Sequence, residues 1–264
     1  MSSDDELVRV GDRGPVTTIT LTRTRRLNAL NGALVAAVVA ALGDCVGRGQ
    51  RAVILRAEPG VRTWSAGHDV AELPTDGSDP LTWSSPLEEL LRTVRQVPIP
   101  VIAAVEGGVW GGACDLVFTC DLVVAAEAAT FAITPAKLGV PYNTAGVSHF
   151  VGVMPLHLVK ELFFTAEPMT AQVAAQHGLV NRVVADSDDL TATVEGLADR
   201  VAQMAPLVIR AVKAELTALT DASPMTPEVF EQLTGLRRAS WRSRDYEEGL
   251  AAFHERRPAR FTGE

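Results

Sequence analysis

The chain has 264 residues, 47% of them hydrophobic and 21% charged, and 24 Lys and Arg against 32 Asp and Glu leave a net charge of −8. That length corresponds to one large domain or a domain with a tail, able to bury ~75% of its unfolded surface without disulfides or a structural metal. The composition excludes a mostly disordered chain, and the acidic balance argues against nonspecific nucleic-acid binding, although a local basic cluster can still hold a small anion.

Residues Met1 to Glu6 are acidic and lack an apolar core, so no signal peptide is read there. Leu7 to Val10 and Val16 to Thr22 read as strands around a Gly14-Pro15 turn, the second alternating well. Asn31 caps a predicted helix over Gly32 to Gly47, and Ala52 to Ala57 is a short apolar strand. From Glu58 to Pro86 the chain is polar and rich in Gly, Pro and Ser, and is expected to be one long loop. A helix over Leu87 to Gln96 follows, then an extended entry at Pro98 and Pro100 into a buried strand, Val101 to Val105. A short helix over Ala113 to Thr119 precedes strands over Asp121 to Ala125 and Thr130 to Ile133. From Pro155 the pattern turns helical, at about 156–165, 170–177, 188–204, 206–220, 226–240 and 243–256, with one strand at Leu179 to Val184. The order predicts an α/β fold with an all-helical end. The longest apolar stretch, Ala33 to Leu42, is far short of the ~20 residues that cross a bilayer, so no membrane association is expected. Cys45, Cys114 and Cys120 have neither zinc-finger nor redox spacing and read as buried thiols in a reducing cytoplasm.

Two glycine-containing loops each follow a strand and precede a helix: Ser65-Ala66-Gly67-His68-Asp69 and Val109-Trp110-Gly111-Gly112-Ala113. Glycine lets a backbone approach a ligand, and the first amides of a helix are unpaired. Two such amides aimed at one point make an oxyanion hole, whereas either loop alone reads more readily as a plain tight turn. No phosphate cradle, dinucleotide fingerprint, zinc-binding H-E-x-x-H or hydrolase G-x-S-x-G is present, so no metal and no separate cofactor are expected. Among the histidines, His149, His157 and His177 read as surface or helix-packing residues.

Several motifs recur together and in order: Leu27-Asn28-Ala29-Leu30, Ser65 to Asp69, Pro98 to Gly107, Gly111-Gly112-Ala113-Cys114-Asp115 before Cys120-Asp121, and Glu248-Gly249 to Pro258. By these motifs the chain resembles the crotonase (enoyl-CoA hydratase/isomerase) superfamily over nearly its whole length. Val109 to Gly112, Thr134 to Asn143, and Val159 to Leu162 with Phe164 to Ala166 resemble the branch that decarboxylates methylmalonyl-CoA. The resemblance implies a crotonase-type spiral of ββα units over 1–200 and a C-terminal helical trimerisation region over 201–264 that also contacts CoA. It implies an acyl-CoA thioester substrate, with CoA part of that substrate, and a homotrimer or homohexamer. In many members the C-terminal helix serves a neighbouring subunit.

The resemblance further implies that the amides of His68 and Gly112 receive the thioester oxygen and stabilise an enolate. Hydratases of the family carry a glutamate at the position of Asp115 and another at that of Ala136. Adding water needs both a base and an acid, so a chain with only the shorter Asp115 is expected to hydrate poorly. Decarboxylation of a malonyl-type thioester needs no base, only an electron sink, a means of orienting the carboxylate and no repelling anion nearby. Tyr142 occupies the place of the family's carboxylate-facing tyrosine, although without the resemblance it reads more readily as a core-capping side chain with its hydroxyl in water. The His68 imidazole either works beside the acyl group or merely shapes the pocket. Ala66, Gly67 and Thr134 are expected along the acyl group, and Trp110 and Trp83 in its pocket or in the core. Arg26, Phe253 and Arg256 are expected at the ADP part, although basic runs of this kind are commonly just solvated. The expected reaction is methylmalonyl-CoA to propionyl-CoA and CO2. The alternatives are an enoyl-CoA hydratase or isomerase using Asp115, and a non-catalytic acyl-CoA-binding protein.

Overall fold

The structure, a computed structural model, describes residues 6–76, 78–220 and 227–263. The acidic segment 1–5 and residue 226, the expected start of a helix, lie outside them. Strands β1 (Val8–Arg13) and β2 (Val16–Leu21) form an antiparallel hairpin, with Val8 opposite Leu21 and the turn made at Gly14. Helix α1 (Gly32–Gly47) starts at Asn31, whose side chain accepts from the Leu34 amide at 3.0 Å.

The chain then repeats a strand–strand–helix unit. The first comprises β3 (Ala52–Ala57), β4 (Thr63–Ser65) and α2 (Pro86–Gln96); the second β5 (Val101–Val105), β6 (Gly108–Trp110) and α3 (Gly112–Thr119); the third β7 (Leu122–Ala126), β8 (Thr130–Ala132) and α4 (Thr144–Val153). The first strand of each unit joins one sheet and the second joins another. This is the ββα spiral that the sequence resemblance implies. α5 (Leu156–Thr165), β9 (Met169–Thr170), α6 (Ala171–Gln176), β10 (Arg182–Val184) and α7 (Ser187–Gln203) complete it. The 6-stranded sheet runs β1-β2-β3-β5-β7-β10 and the 4-stranded sheet β4-β6-β8-β9.

Strands β3 and β5 are apolar along most of their length because helices cover both faces of a parallel sheet. Val53, Leu55, Val101, Ala103 and Val105 face the main core, shared with α1, α2 and α3. Ile54, Ile102, Ala104 and Val124 face the other way, where Leu190, Val194 and Ala198 of α7 cover them at one-turn spacing. Trp64 of β4 ties the two sheets together, wholly buried and donating through Nε1 to Ala104 O at 2.9 Å.

Two expectations change. The supposed loop from Glu58 to Pro86 contains β4 and a short helical turn at Val70–Glu72. Helix α4 occupies a stretch to which the sequence reading assigns no element, because Gly146, Gly152 and the exposed Val147, Val151 and Val153 blur its periodicity. Helices α8 (Pro206–Thr220), α9 (Pro227–Trp241) and α10 (Arg244–Glu255) form the tail. α10 docks on its own chain, with Gly249 against the backbone of Leu138, where a Cβ would lie 2.1 Å from the carbonyl oxygen. Among the described residues, no helix is long and apolar enough to cross a membrane, and no group of acidic, His and Cys side chains has the arrangement of a metal site.

Candidate active site

The Leu27-Asn28-Ala29-Leu30 turn is a clamp for the loop after β4. Leu27 and Asn28 both have positive φ, of 52° and 48°. The Asn28 side chain donates to Trp64 O at 2.9 Å, and Ser65 Oγ donates to Asn28 O at 2.7 Å. The Leu30 amide donates to Gly67 O at 2.7 Å, and the Asp69 amide to Leu30 O at 3.2 Å. Arg23 Nη1 closes the assembly, 2.8 Å from both Ala29 O and Asp69 Oδ2. Burial is the largest single influence on Asp69 and opposes its ionisation, but the Arg23 hydrogen bond, the Ala71 amide and the charges of Arg23 and Arg26 together outweigh it and hold the carboxyl below its usual range.

Gly67 is the contact between the two loops. Its φ is +80°, and a Cβ there would lie 2.3 Å from Trp110 O and 3.1 Å from the Gly112 amide nitrogen. A Cβ on Gly112 would in turn lie 3.8 Å from the His68 amide nitrogen. Only bare backbone allows this approach, which puts the two amides side by side. Neither amide donates to an acceptor among the described residues. Gly112 is also the first residue of α3, where the helix dipole favours negative charge. Two free donors so placed can hold one developing oxyanion.

They open on a narrow cavity of about 70 Å³. Ala66, His68, Thr134 and Tyr142 line it, as do the carboxylates Asp115 and Glu88. Leu73, Leu81, Leu87, Leu138 and Val140 make its apolar wall. Both ring nitrogens of His68 are buried without a hydrogen-bond partner among the described residues. Burial pushes its pKa below the ordinary histidine value, so the ring is neutral at pH 7. Tyr142 stacks edge-on against Phe150 and Phe163, with centroids 5.9 and 5.2 Å away, and its hydroxyl donates to Asp115 Oδ2 at 3.4 Å. Burial raises its pKa well above the usual value, which keeps the phenol a donor.

Three corrections follow. His149 is no bystander: α4 brings its Nδ1 to 2.6 Å from Asp115 Oδ1. Nor is the cavity short of a second carboxylate. Ala136 supplies none, but Glu88 enters from α2 and accepts from Asn143 Nδ2. Burial raises the Glu88 pKa above the ordinary carboxylate value, against a lowering contribution from the Asn143 hydrogen bond. In sequence, Ser85-Pro86-Leu87-Glu88 reads as a capping box, which hides this second use. Finally, the tryptophans are absent from the cavity wall. Trp110 folds over Gly108, whose Cβ would lie 2.1 Å from Trp110 Cζ2. Trp83 is 73% exposed, with the Arg92 guanidinium 4.0 Å from its ring centre.

Arg26, Phe253 and Arg256 all stand exposed outside the cavity. A wider groove of about 660 Å³ between α10 and residues 257–262 is separate from it. The Arg257 there is committed to Glu248 and Glu255.

Residues 12–264 match the enoyl-CoA hydratase/isomerase family. The chain belongs to that family. It is 42% identical to methylmalonyl-CoA decarboxylase of Escherichia coli (strain K12) over 239 residues, covering 90% of this chain and 91% of that protein. Two solved structures superpose with a TM-score of 0.95 at 40% identity. One is methylmalonyl-CoA decarboxylase complexed with 2S-carboxypropyl-CoA, covering 100% of both chains. The other is methylmalonyl-CoA decarboxylase with 2-nitronate-propionyl-CoA, covering 98% of this chain and 99% of that one.

Proposed function

We propose that this member of the enoyl-CoA hydratase/isomerase family decarboxylates methylmalonyl-CoA to propionyl-CoA and CO2. The observation that carries the reading is the pair of unengaged amides, His68 and Gly112, meeting at the cavity. They donate to the thioester oxygen. The substrate carboxylate stands perpendicular to the thioester plane, oriented by the Tyr142 hydroxyl with Thr134 beside it. The bond to the carboxylate breaks, its electron pair enters the bond between Cα and the thioester carbon, and charge collects on the oxygen between the two amides. A proton then adds at Cα. The thioester is the electron sink, so the step calls for no cofactor beyond the CoA carried by the substrate. Ala66 and Gly67 bound the acyl group. Arg26, Arg256 and Phe253 serve the ADP end from the surface, while Trp110 supports the loop and does not touch the acyl group.

Residues 1–200 act as the catalytic spiral and 201–264 as the region for association and CoA contact. Val208, Val212, Leu216 and Leu219 form an exposed apolar stripe along α8, which supports a homotrimer or homohexamer. The free, buried cysteines suit the cytoplasm.

Glu88 and Asp115 lining one cavity favour a second reading, hydration of an enoyl-CoA by paired carboxylates. One experiment separates the two. The protein is incubated with methylmalonyl-CoA and, separately, with crotonyl-CoA, and products are identified by mass. Propionyl-CoA from the first and no 3-hydroxybutyryl-CoA from the second is the expected result. Tyr142→Phe is expected to slow decarboxylation by about 10- to 150-fold, the worth of one hydrogen bond to a charged group. Hydrated crotonyl-CoA with intact methylmalonyl-CoA overturns the decarboxylase reading.

A further inference from the structure

The apolar wall of the cavity is held in place by the tail of the same chain. Leu81 lines that wall and also packs on the cluster of Val140, Trp241 and Tyr246. Arg237 and Trp241 stand about one turn apart on α9 and so share a face. Trp241 is buried in the cluster, and Arg237 reaches the segment that carries Leu81. Arg237 Nη2 donates to Leu81 O at 3.1 Å and lies 2.5 Å from Asp79 Oδ2. Asp79 Oδ1 accepts from the Leu81 amide at 2.9 Å. One ion pair thus fixes both backbone polar groups of Leu81. The pair is partly shielded from water, with side-chain exposures of 16% for Arg237 and 25% for Asp79. Neither residue has a part in the chemistry at the two amides, yet together they decide where the wall stands.

We propose that Arg237 is a positioning residue for substrate specificity: by fixing Leu81 against the cavity, it sets the size of the α-substituent that the site accepts, near that of a methyl group. The inference rests on the proposed decarboxylation of an α-alkyl malonyl thioester. In that reading the thioester oxygen goes to the His68 and Gly112 amides and the carboxylate to Tyr142 and Thr134. The alkyl group on Cα is then left to the apolar wall, where Leu73, Leu81, Leu138 and Val140 bound a cavity of about 70 Å³. A further methylene there meets a leucine whose backbone cannot retreat while Arg237 holds it. One methylene in an apolar pocket is worth about 10- to 200-fold in kcat/KM.

The test compares kcat/KM for methylmalonyl-CoA and ethylmalonyl-CoA, beside calorimetric binding of propionyl-CoA and butyryl-CoA, which carry the same two α-substituents. The wild-type protein is expected to prefer the methyl compound of each pair. Arg237→Ala is expected to lower the preference about tenfold, with an absolute rise in turnover of ethylmalonyl-CoA that a merely damaged fold would not give. Asp79→Asn keeps an acceptor for the Leu81 amide and keeps the Arg237 charge. That charge also acts on Glu88, where it opposes the pKa rise caused by burial. A smaller shift in the same direction is therefore expected, and it separates loop position from charge. Leu81→Ala is expected to relax the preference by itself, and adding Arg237→Ala to it should change the preference less than twofold, as for two residues acting through one contact. Should Arg237→Ala not fold, Asp79→Asn and Leu81→Ala carry the same comparison. A preference that is absent in the wild type, or that no variant changes, overturns this inference and leaves decarboxylation standing. So does an Arg237→Ala effect that persists in full beside Leu81→Ala. Wild-type protein that converts neither malonyl thioester, but whose preference for propionyl-CoA over butyryl-CoA falls in Arg237→Ala, overturns the decarboxylase reading and leaves the role of Arg237 standing.

Discussion

Helix α1 buries Leu34, Val35, Val38, Ala41, Leu42 and Cys45 against the sheets, whereas α8, one residue shorter, buries only Lys213. Leu207, Val208, Val212, Leu216 and Leu219 of α8 all face outward. Lys213 is the anchor: its Nζ donates to Val94 O at 2.9 Å, Ile99 O at 3.1 Å and Asp121 Oδ2 at 2.7 Å. In the spiral, apolar burial holds the elements together. In the tail, one polar pin holds α8 in place, and its apolar residues are left over for some other surface. Hydrophobic content therefore does not by itself distinguish a core helix from an interface helix.

The largest effect expected from this contrast is in α1. Leu42→Ala should lower unfolding free energy by about 3 kcal/mol, read by urea denaturation, because the well-packed site cannot collapse around the cavity. Next comes the pin. Asp121→Ala leaves the Lys213 ammonium buried without its counter-charge, with side-chain exposures of 8% for Lys213 and 26% for Asp121. A loss of about 2–3 kcal/mol is expected, somewhat below that of a fully buried pair, with faster proteolysis within α8. Stability unchanged by Asp121→Ala would break the contrast.

The buried ring nitrogens of His68 have no hydrogen-bond partner among the described residues. Its folded pKa lies below the unfolded value near ~6.5. Above that pH neither state holds the proton and stability is unaffected. As pH falls below it the unfolded state gains protons first, so stability drops until the folded pKa is reached. The slope is at most about 1.4 kcal/mol per pH unit, and His68→Gln should remove this part of the pH dependence of unfolding. The smallest effect on folding is expected from Leu216→Asp, below about 0.5 kcal/mol, because the site is exposed. The same variant should lower the mass measured by sedimentation, and an unchanged mass would count against α8 as an interface.

Much of the spiral was legible in the sequence because burial on both faces gives β3 and β5 unmistakable apolar runs. The glycine loops were legible too, since Gly67 and Gly112 are needed for backbone-to-backbone approach. Less legible were the side chains that reach the cavity from elements of weak periodicity. His149 lies on α4, whose exposed valines and two glycines mask a helix, and Glu88 looks like an ordinary member of a helix cap. Trp110 was misread because its β6 position beside the glycine loop says nothing of the fold-back of its ring over Gly108.

Tyr246 on α10 donates to Pro74 O across 172 residues of sequence, and with Trp241 and Leu250 it backs Val140 and Leu138 in the cavity wall. The amides of His68 and Gly112 leave the ribosome long before the helix that braces the wall opposite them. A partly synthesised chain can therefore assemble both loops while its acyl pocket still lacks its outer support. The pocket opposite the two amides is therefore complete only once α10 has docked behind Val140 and Leu138.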